Sequence, residues 1–322
     1  MTRLAELIEV VHTTTYRYAE PVRFGEHRMM FRPQPRHDMR VLRAELEVTP
    51  EHALRWVTDS FSNSIAAVTF PGAARELKFV ARFAIEHFGQ ANIELPLAAD
   101  AVTYPVEYSA GERLDLYPFL QPSAADPQGE LKAWAQGFVR HAGGDTRRML
   151  QAMMESIRHG FSYRARYEEG TQHPLDTIQW QAGTCRDYAY LMLEACRQLG
   201  IAARFVSGYL YDPGRDGAAD RGTLGAGSTH AWAEVCLPGA GWVPYDPTNL
   251  LTGGTELIRV ATTRTPEQAM PLVGSFTGAA GAYLGMQVQV QVRKLGDLAE
   301  LRMDEAIVQA AGWLARGPVA RA

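Results

Sequence analysis

Residues 183–200 read GTCRDYAYLMLEACRQLG, and the fold turns on them. From Thr184 to Leu199 the apolar residues, among them Tyr188, Leu191, Met192, Leu193, Ala195 and Cys196, fall nearly all round a helix instead of along one stripe. A helix that is apolar on every side sits inside a domain. Gly200 is a fitting stop, because glycine takes the left-handed conformation of a helix C-terminus at little cost. Strand-like runs follow over residues 202–211, 230–237 and 242–245. This half of the chain is therefore expected to be a central buried helix packed on an antiparallel sheet.

Toward the N-terminus the period changes to two. Residues 41–48 read VLRAELEV and residues 76–86 ELKFVARFAIE, each apolar at alternate positions, and residues 10–18 are rich in β-formers. Pro33-Gln34-Pro35, Asp59-Ser60 and Pro71-Gly72 separate these runs. Short strands punctuated in this way predict an antiparallel sandwich. Pro118 and Pro122 mark a connector over 117–126. Residues 131–142 and 146–160 then carry helical spacing, with Asp145 as the N-cap of the second helix. Further on, MQVQVQV over 286–292 alternates strictly, and residues 297–316 have an amphipathic helical pattern. The expected organisation is α+β: an N-terminal antiparallel β-sandwich-like domain over 1–116, a mixed core over 117–294 and a C-terminal helix over 295–322.

Composition removes several classes of function. Lys and Arg number 32 against 36 Asp and Glu, a formal charge of −4 that offers no basic stripe for nucleic acid. No apolar run approaches the ~18–20 residues of a membrane span. Residues 1–10 lack the apolar stretch of a secretory signal, so a cytoplasmic location without a membrane partner is expected. The cysteines Cys185, Cys196 and Cys236 do not form a disulfide framework. They show no Cys-x-x-Cys spacing, and the nine histidines include no His-Glu-x-x-His, so no metal is expected. The absence of a Gly-x-Ser-x-Gly elbow, a P-loop and a dinucleotide fingerprint argues against those enzyme classes, and no cofactor is expected.

The chemistry is expected at Cys185. It falls in the first turn of the buried helix, where about half a positive charge and unpaired N–H groups favour a thiolate. Cys196 is the control. It lies about 16 Å further along the helix axis, beyond the ~7 Å Cα limit for a disulfide, and gains nothing from the dipole. It reads as packing, and so does Cys236 inside a strand. His230 opens a strand just after the Gly- and Asp-rich loop between Asp212 and Thr229. The segment HAWAEVCL, Pro238-Gly239-Ala240-Gly241, WVPYDPT reads as a hairpin. In the register that sets Asp246 opposite Trp232, Asp246 lies diagonal to His230 on the same face, within reach of a hydrogen bond. A slip by one residue moves the carboxylate to the other face. Asp187 reads as a helix-dipole acid and Arg186 as a charge that offsets it. Trp232 and Trp242 read as core.

The order Cys, His, Asp, with the cysteine on a helix and the other two on a hairpin, resembles the transglutaminase-like superfamily, above all its bacterial branch of transglutaminase-like cysteine peptidases. The stretches that carry the likeness are GTCRDYAYLMLEACRQLGIAARFVSGYL, STHAWAEVCLPGAGWVPYDPTN and LIRVA, together spanning residues 183–261. HTTTYRYAEPV, FRPQP and Asp59–Asn63 resemble the β-rich N-terminal region of the same branch. The resemblance implies a papain-like α+β core and a thiol acyl-transfer mechanism, with Cys185 as nucleophile, His230 as acid/base and Asp246 as the residue that orients it. Two departures bear on the substrate pocket: Tyr190 stands where many relatives have His, and Arg264-Thr265-Pro266 stands for the usual Arg-Asp-Tyr. The expected function is cleavage of peptide or amide bonds through a thioester, with a peptide or protein as substrate. The alternatives are a protein-glutamine transglutaminase with an amine acceptor, an arylamine acetyltransferase or glycoprotein amidase using the same triad, and a catalytically silent papain-like binding module. The backbone N–H of Cys185 is the natural oxyanion donor, with Gln179, Trp180 and Gln181 as sources of a second. Sequence leaves the oligomeric state open.

Overall fold

The computed structural model describes residues 5–88, 96–164, 170–212 and 228–297. The helix expected over 297–316 and most of the loop between Asp212 and Thr229 lie outside the described residues. The N-terminal part contains β1 (Glu6–Phe24), β2 (His27–Arg32), β3 (Met39–Thr49), β4 (Ala53–Thr58), β5 (Ser64–Thr69) and β6 (Ala73–His87). Short helices α1 (Ala99–Val102), α2 (Ala110–Asp115) and α3 (Tyr117–Leu120) lead into α4 (Glu130–His141) and α5 (Thr146–Gly160). The connector expected over 117–126 thus begins as one helical turn, with Pro118 near its start, where proline's missing N–H costs nothing. Then come β7 (Ser162–Tyr163), α6 (Pro174–Trp180), β8 (Ala182–Gly183), α7 (Cys185–Gln198), β9 (Ala203–Leu210), β10 (Thr229–Leu237), β11 (Gly241–Tyr245) and β12 (Leu257–Thr263). The described chain closes with β13 (Leu272–Val273), β14 (Phe276–Thr277) and β15 (Tyr283–Lys294). No helix among the described residues is long and apolar enough to cross a membrane.

The β-rich part is a pair of facing antiparallel sheets. One has the order β14-β1-β6-β3 with β15 also on β1, and the other β13-β2-β5-β4. Tyr18, Val22, Leu77 and Phe79 of the first sheet pack on Met29, Phe31, Ala66 and Val68 of the second. The expected sandwich is present, but it draws on both ends of the chain. β15 pairs with β1 from Ile8↔Lys294 to Tyr18↔Tyr283, and β13 pairs with β2. The boundary drawn at 294 from the sequence assigns these strands to the core. Alternation revealed the MQVQVQV strand but not its partner, because a period of two says nothing about which strand lies alongside.

The core is helical on one side of the antiparallel sheet β11-β10-β9-β12. α7 is its centre: Leu191, Met192, Leu193 and Ala195 are fully buried with Met149, Met153 and Ile157 of α5 and Phe205, Ala233 and Val235 of the sheet. The other face of this sheet meets the sandwich. Ile8, Val10, Phe83 and Ile85 pack on Tyr209, Ile258 and Val260. Two polar contacts fix the fit. The Tyr209 hydroxyl hydrogen-bonds with His12 Nδ1 at 2.8 Å. Asn63 holds β12 through both of its side-chain polar atoms, donating Nδ2–H to Thr262 O (2.8 Å) and accepting from Thr262 N at Oδ1 (2.9 Å). Truncating Asn63 to Ala takes these partners from the N–H and C=O of Thr262. It is expected to cost about 1–3 kcal/mol, read as a lower urea midpoint with an unchanged slope.

Candidate active site

Cys185 is the first residue of α7, and the turn before it is tightly built. Thr184 caps the helix reciprocally with Asp187: the carboxylate accepts from Thr184 N and Oγ1, both at 2.8 Å. The other carboxylate oxygen of Asp187 accepts from Gln172 N at 2.7 Å. Gln172 in turn donates to Thr177 Oγ1 and Ala182 O. Asp187, expected as a dipole acid, thus also pins the approach to α6 and the residues before Cys185. Gly183 is required by space: a Cβ there would lie 2.9 Å from Asp187 Cβ.

β10 and β11 pair in the register that the sequence argument needed, with Ala233 opposite Tyr245 and Val235 opposite Val243. Continuing it sets Asp246 against Trp232 and diagonal to His230. The His230 Nε2–Asp246 Oδ2 distance is 2.8 Å. Asp246 Oδ1 accepts from Thr248 N (2.9 Å), and Asn249 Nδ2 donates to Oδ2 (3.1 Å), so the carboxylate cannot swing away. Trp232 stacks along the His230 ring at 6.1 Å. Gly208 of β9 sits opposite His230, where a Cβ would strike the carbonyl of Ile258 and the Trp232 ring. With Nε2 engaged by Asp246, Nδ1 is the ring nitrogen left without a hydrogen-bond partner. The Cys185 thiol interacts with this same ring. The structure therefore brings Cys185, His230 and Asp246 together, at 6, 1 and 0% exposure.

Electrostatics separates this cysteine from the other two. Burial alone would raise the Cys185 pKa, but the His230 ring beside the thiol and its imidazolium charge outweigh it, and Arg186 adds to the lowering. Burial would lower the His230 pKa, yet the Asp246 carboxylate and the Cys185 thiol lift it to about 10. The lowered thiol and the raised ring together favour a thiolate beside an imidazolium. Cys196, with no such partner, is pushed up by burial to about 12, and Cys236 to about 11. Arg186 is held by its Nη2–H to Pro266 O at 2.7 Å and lies over the Phe205 ring. Among the described residues no group of His, Cys, Asp and Glu has the arrangement of a metal site.

Residues 132–247 match the family model of the transglutaminase-like superfamily, and residues 8–86 that of the bacterial transglutaminase-like N-terminal region. The chain joins a transglutaminase-like core to a bacterial transglutaminase-like N-terminal region. It is 27% identical over 285 residues to the uncharacterized protein ML0607 of Mycobacterium leprae, covering 88% of this chain and 98% of that one. To the uncharacterized protein Rv2569c of Mycobacterium tuberculosis it is 29% identical over 150 residues, 44% of this chain and 46% of the other. Its fold is shared with the solved structure described as "a Putative Cysteine Protease from Cytophaga hutchinsonii", at a TM-score of 0.67 and 21% identity over 91% of this chain and 92% of that one.

One residue of the transglutaminase-like core was missed in the sequence. β7 pairs in parallel with β8, setting Tyr163 beside Gly183, and the Tyr163 hydroxyl lies against the Cys185 thiol and backbone N–H. Its pKa is raised by burial and by the thiolate. The three side chains proposed as sources of a second oxyanion donor, Gln179, Trp180 and Gln181, are all exposed. The signal was weak: β7 is two residues long, too short for periodicity to register. Trp232 is core as expected, whereas Trp242 is half-buried beneath the Arg204 guanidinium, 4.0 Å from its ring centroid. Tyr190 points its hydroxyl toward Ser123 Oγ at 3.5 Å.

The charge pairing predicts a reactivity pattern. A thiol titrating at an ordinary ~8.5 is only about 0.3% ionised at pH 6. Iodoacetamide labelling read site by site by mass spectrometry is expected to modify Cys185 at pH 6 much faster than Cys196 or Cys236. His230→Ala leaves burial and the Asp246 carboxylate opposed only by Arg186, so the Cys185 pKa rises and its pH 6 labelling falls by at least tenfold.

Proposed function

We propose that this protein is a thiol acyl-transfer enzyme that cleaves peptide or amide bonds through a thioester on Cys185, with water as the usual acceptor. The observation that carries this reading is the division of the His230 ring. One nitrogen is fixed by a buried carboxylate at 2.8 Å, and the other is left for the thiol at the start of a helix. A residue with a purely structural role has no need of that division. A pair of this kind supplies both nucleophile and proton donor without a metal or organic cofactor.

In the first step the Cys185 sulfur attacks the substrate carbonyl carbon. The C–S bond forms, and the carbonyl electrons move onto oxygen. The tetrahedral species collapses as the imidazolium of His230 gives its proton to the leaving nitrogen, releasing an amine and leaving a thioester. Water then attacks the thioester while the neutral ring takes its proton. The acid departs, and the protonated ring and thiolate are restored. Asp246 holds the ring in one tautomer and stabilises its charged form.

The oxyanion needs donors already in place. The Cys185 N–H at the helix start is one. The Tyr163 hydroxyl, beside both that N–H and the thiol, occupies the space a carbonyl oxygen would enter, and once displaced sideways it donates to the developing charge.

The test is turnover of a peptide library, with products identified by mass. Cys185→Ala and His230→Ala are expected to abolish turnover. Tyr163→Phe is expected to lower kcat by about 10²-fold, the usual loss for one oxyanion donor, with the low-pH labelling of Cys185 retained. Added primary amine separates the two acceptors: free acid as the main product supports hydrolysis, and amine adducts support transfer. A library left untouched while Cys185 labels no faster than Cys196 would point to a silent binding module.

A further inference from the structure

His12 stands where three sheets meet. It lies on β1 between the stretch that packs on the core, Ile8 and Val10, and the stretch that packs on the facing sheet of the sandwich, Tyr16 and Tyr18. It is 2% exposed. Nδ1 hydrogen-bonds with the Tyr209 hydroxyl of β9 at 2.8 Å and Nε2 with Thr14 Oγ1 at 3.1 Å, while the Phe31 ring of β2 lies 4.4 Å away. One imidazole thus ties the first sheet of the sandwich to the core and touches the second.

These neighbours are all neutral. β6 sets Ala81 opposite His12, and β15 sets Val290 there. Tyr209, the titratable group that faces the ring, is kept protonated by its own burial. Among the described residues no carboxylate or cation acts on the ring, and burial by itself lowers its pKa to about 4. A hydroxyl can donate or accept, so either neutral tautomer is satisfied here. An imidazolium could keep both hydrogen bonds, but it would be a buried charge without a counter-charge. The other buried histidine of this interface differs. His87 of β6 reaches Leu257 O of β12 at 3.3 Å, and the Asp38 and Glu6 carboxylates offset part of its burial.

The His12 contact is close to His230. The residue before Tyr209 is Gly208, which the register sets opposite His230. There is no slack at that point: a Cβ on Gly208 would strike the Ile258 carbonyl and the Trp232 ring, and Trp232 stacks along His230. Tyr209 itself pairs with Thr229 on one side and Ile258 on the other. A shift of Tyr209 therefore reaches the strand residues that seat His230.

We propose that His12 is an acid-operated latch: its protonation releases the sandwich from the core sheet at Tyr209 and loosens the seat of His230. The ring binds a proton more weakly when the interface is closed than when it is open. The closed form is therefore undisturbed above the ordinary histidine pKa of ~6.5 and is progressively disfavoured as the pH falls from there toward 4. Between pH 7 and 4.5 the balance moves toward the open form by about 50-fold. The effect on catalysis rests on the reading of Cys185 and His230 as a catalytic pair, whereas the release does not.

Hydrogen exchange of the full chain, corrected for the intrinsic effect of pH, tests the release. From pH 7 to 4.5 the amides of β1 and β9 are expected to lose protection by up to about 50-fold, while those of α5 and α7 keep theirs. His12→Asn, which retains a polar partner for Tyr209 and takes no proton, is expected to abolish that loss. Iodoacetamide labelling of Cys185, taken as the ratio of wild type to His12→Asn, cancels the thiol's own titration. That ratio is expected to be near one at pH 7 and to fall at pH 4.5. Should His12→Asn misfold, histidine NMR on the wild type decides: the His12 ring is expected to titrate near pH 4, in step with the loss of protection. A ring titrating at the ordinary ~6.5, a loss of protection that survives His12→Asn, or a ratio that stays constant while Cys185 is reactive would overturn the proposal. A Cys185 inert at both pH values, with exchange that still depends on His12, would overturn the catalytic pair and leave the latch standing.

Discussion

The structure depends on a helix that buries its own charges. α7 takes Asp187, Glu194 and Arg197 into the interior at 0, 0 and 2% exposure. A buried charge is tolerated only when it is paired and hydrogen-bonded, and here the partners come from loops. Glu194 accepts from Ser123 N, Ala124 N and Ser123 Oγ, and pairs with Arg197 at 2.8 Å. Arg197 also donates to the carbonyls of Phe119, Ala203 and Arg264. The irregular segments around the core are thus fixed by the helix instead of by regular pairing of their own. Asp187 does the same at the other end, where the thiol sits. Cys185 is rigid because its helix is wrapped, and the wrapping segments are ordered because the helix needs their N–H and C=O groups.

Rigidity matters for the electrostatics. A thiolate and an imidazolium out of solvent attract more strongly than in water, but each also loses its hydration. The balance favours the charged pair only if the ring cannot turn and its far nitrogen stays bonded to a carboxylate. Asp246 meets that condition through its bonds with Thr248 and Asn249, and Gly208 leaves room for Trp232 against the ring. His12 shows the opposite outcome in the same molecule. Buried with neutral partners, it is lowered to about 4 and remains uncharged. The neighbouring carboxylate, more than burial, sets which histidine carries charge at neutral pH.

Much of this was readable in the chain. The helix over 185–198 followed from apolar residues on every side, and the hairpin register that places Asp246 diagonal to His230 is the one β10 and β11 adopt. Cys196 could be set aside by its distance along the helix. What the sequence could not supply was any relation that depends on segments meeting from far apart. Tyr163 reaches the thiol through a two-residue parallel pair. Asn63 reaches β12 across |i−j| = 199. β15 lies on β1 from the far end of the chain. Local periodicity reports which face of a strand is apolar, and partners are chosen by packing that no local window contains.

The closure of β15 onto β1 has a consequence for how the two parts work together. The core, from α1 to β12, is inserted between strands of one sandwich, so both its entry and its exit are anchored on the same body. Arg259 of β12 bonds Glu234 of β10 and Asp38 of the sandwich, and Glu234 also binds Arg204 of β9. Movement of the sandwich relative to the core would break this ion network and the Asn63 contact together, and the lost partners would leave Glu234 buried beside fewer cations. The sandwich is therefore a rigid continuation of the sheet that carries His230.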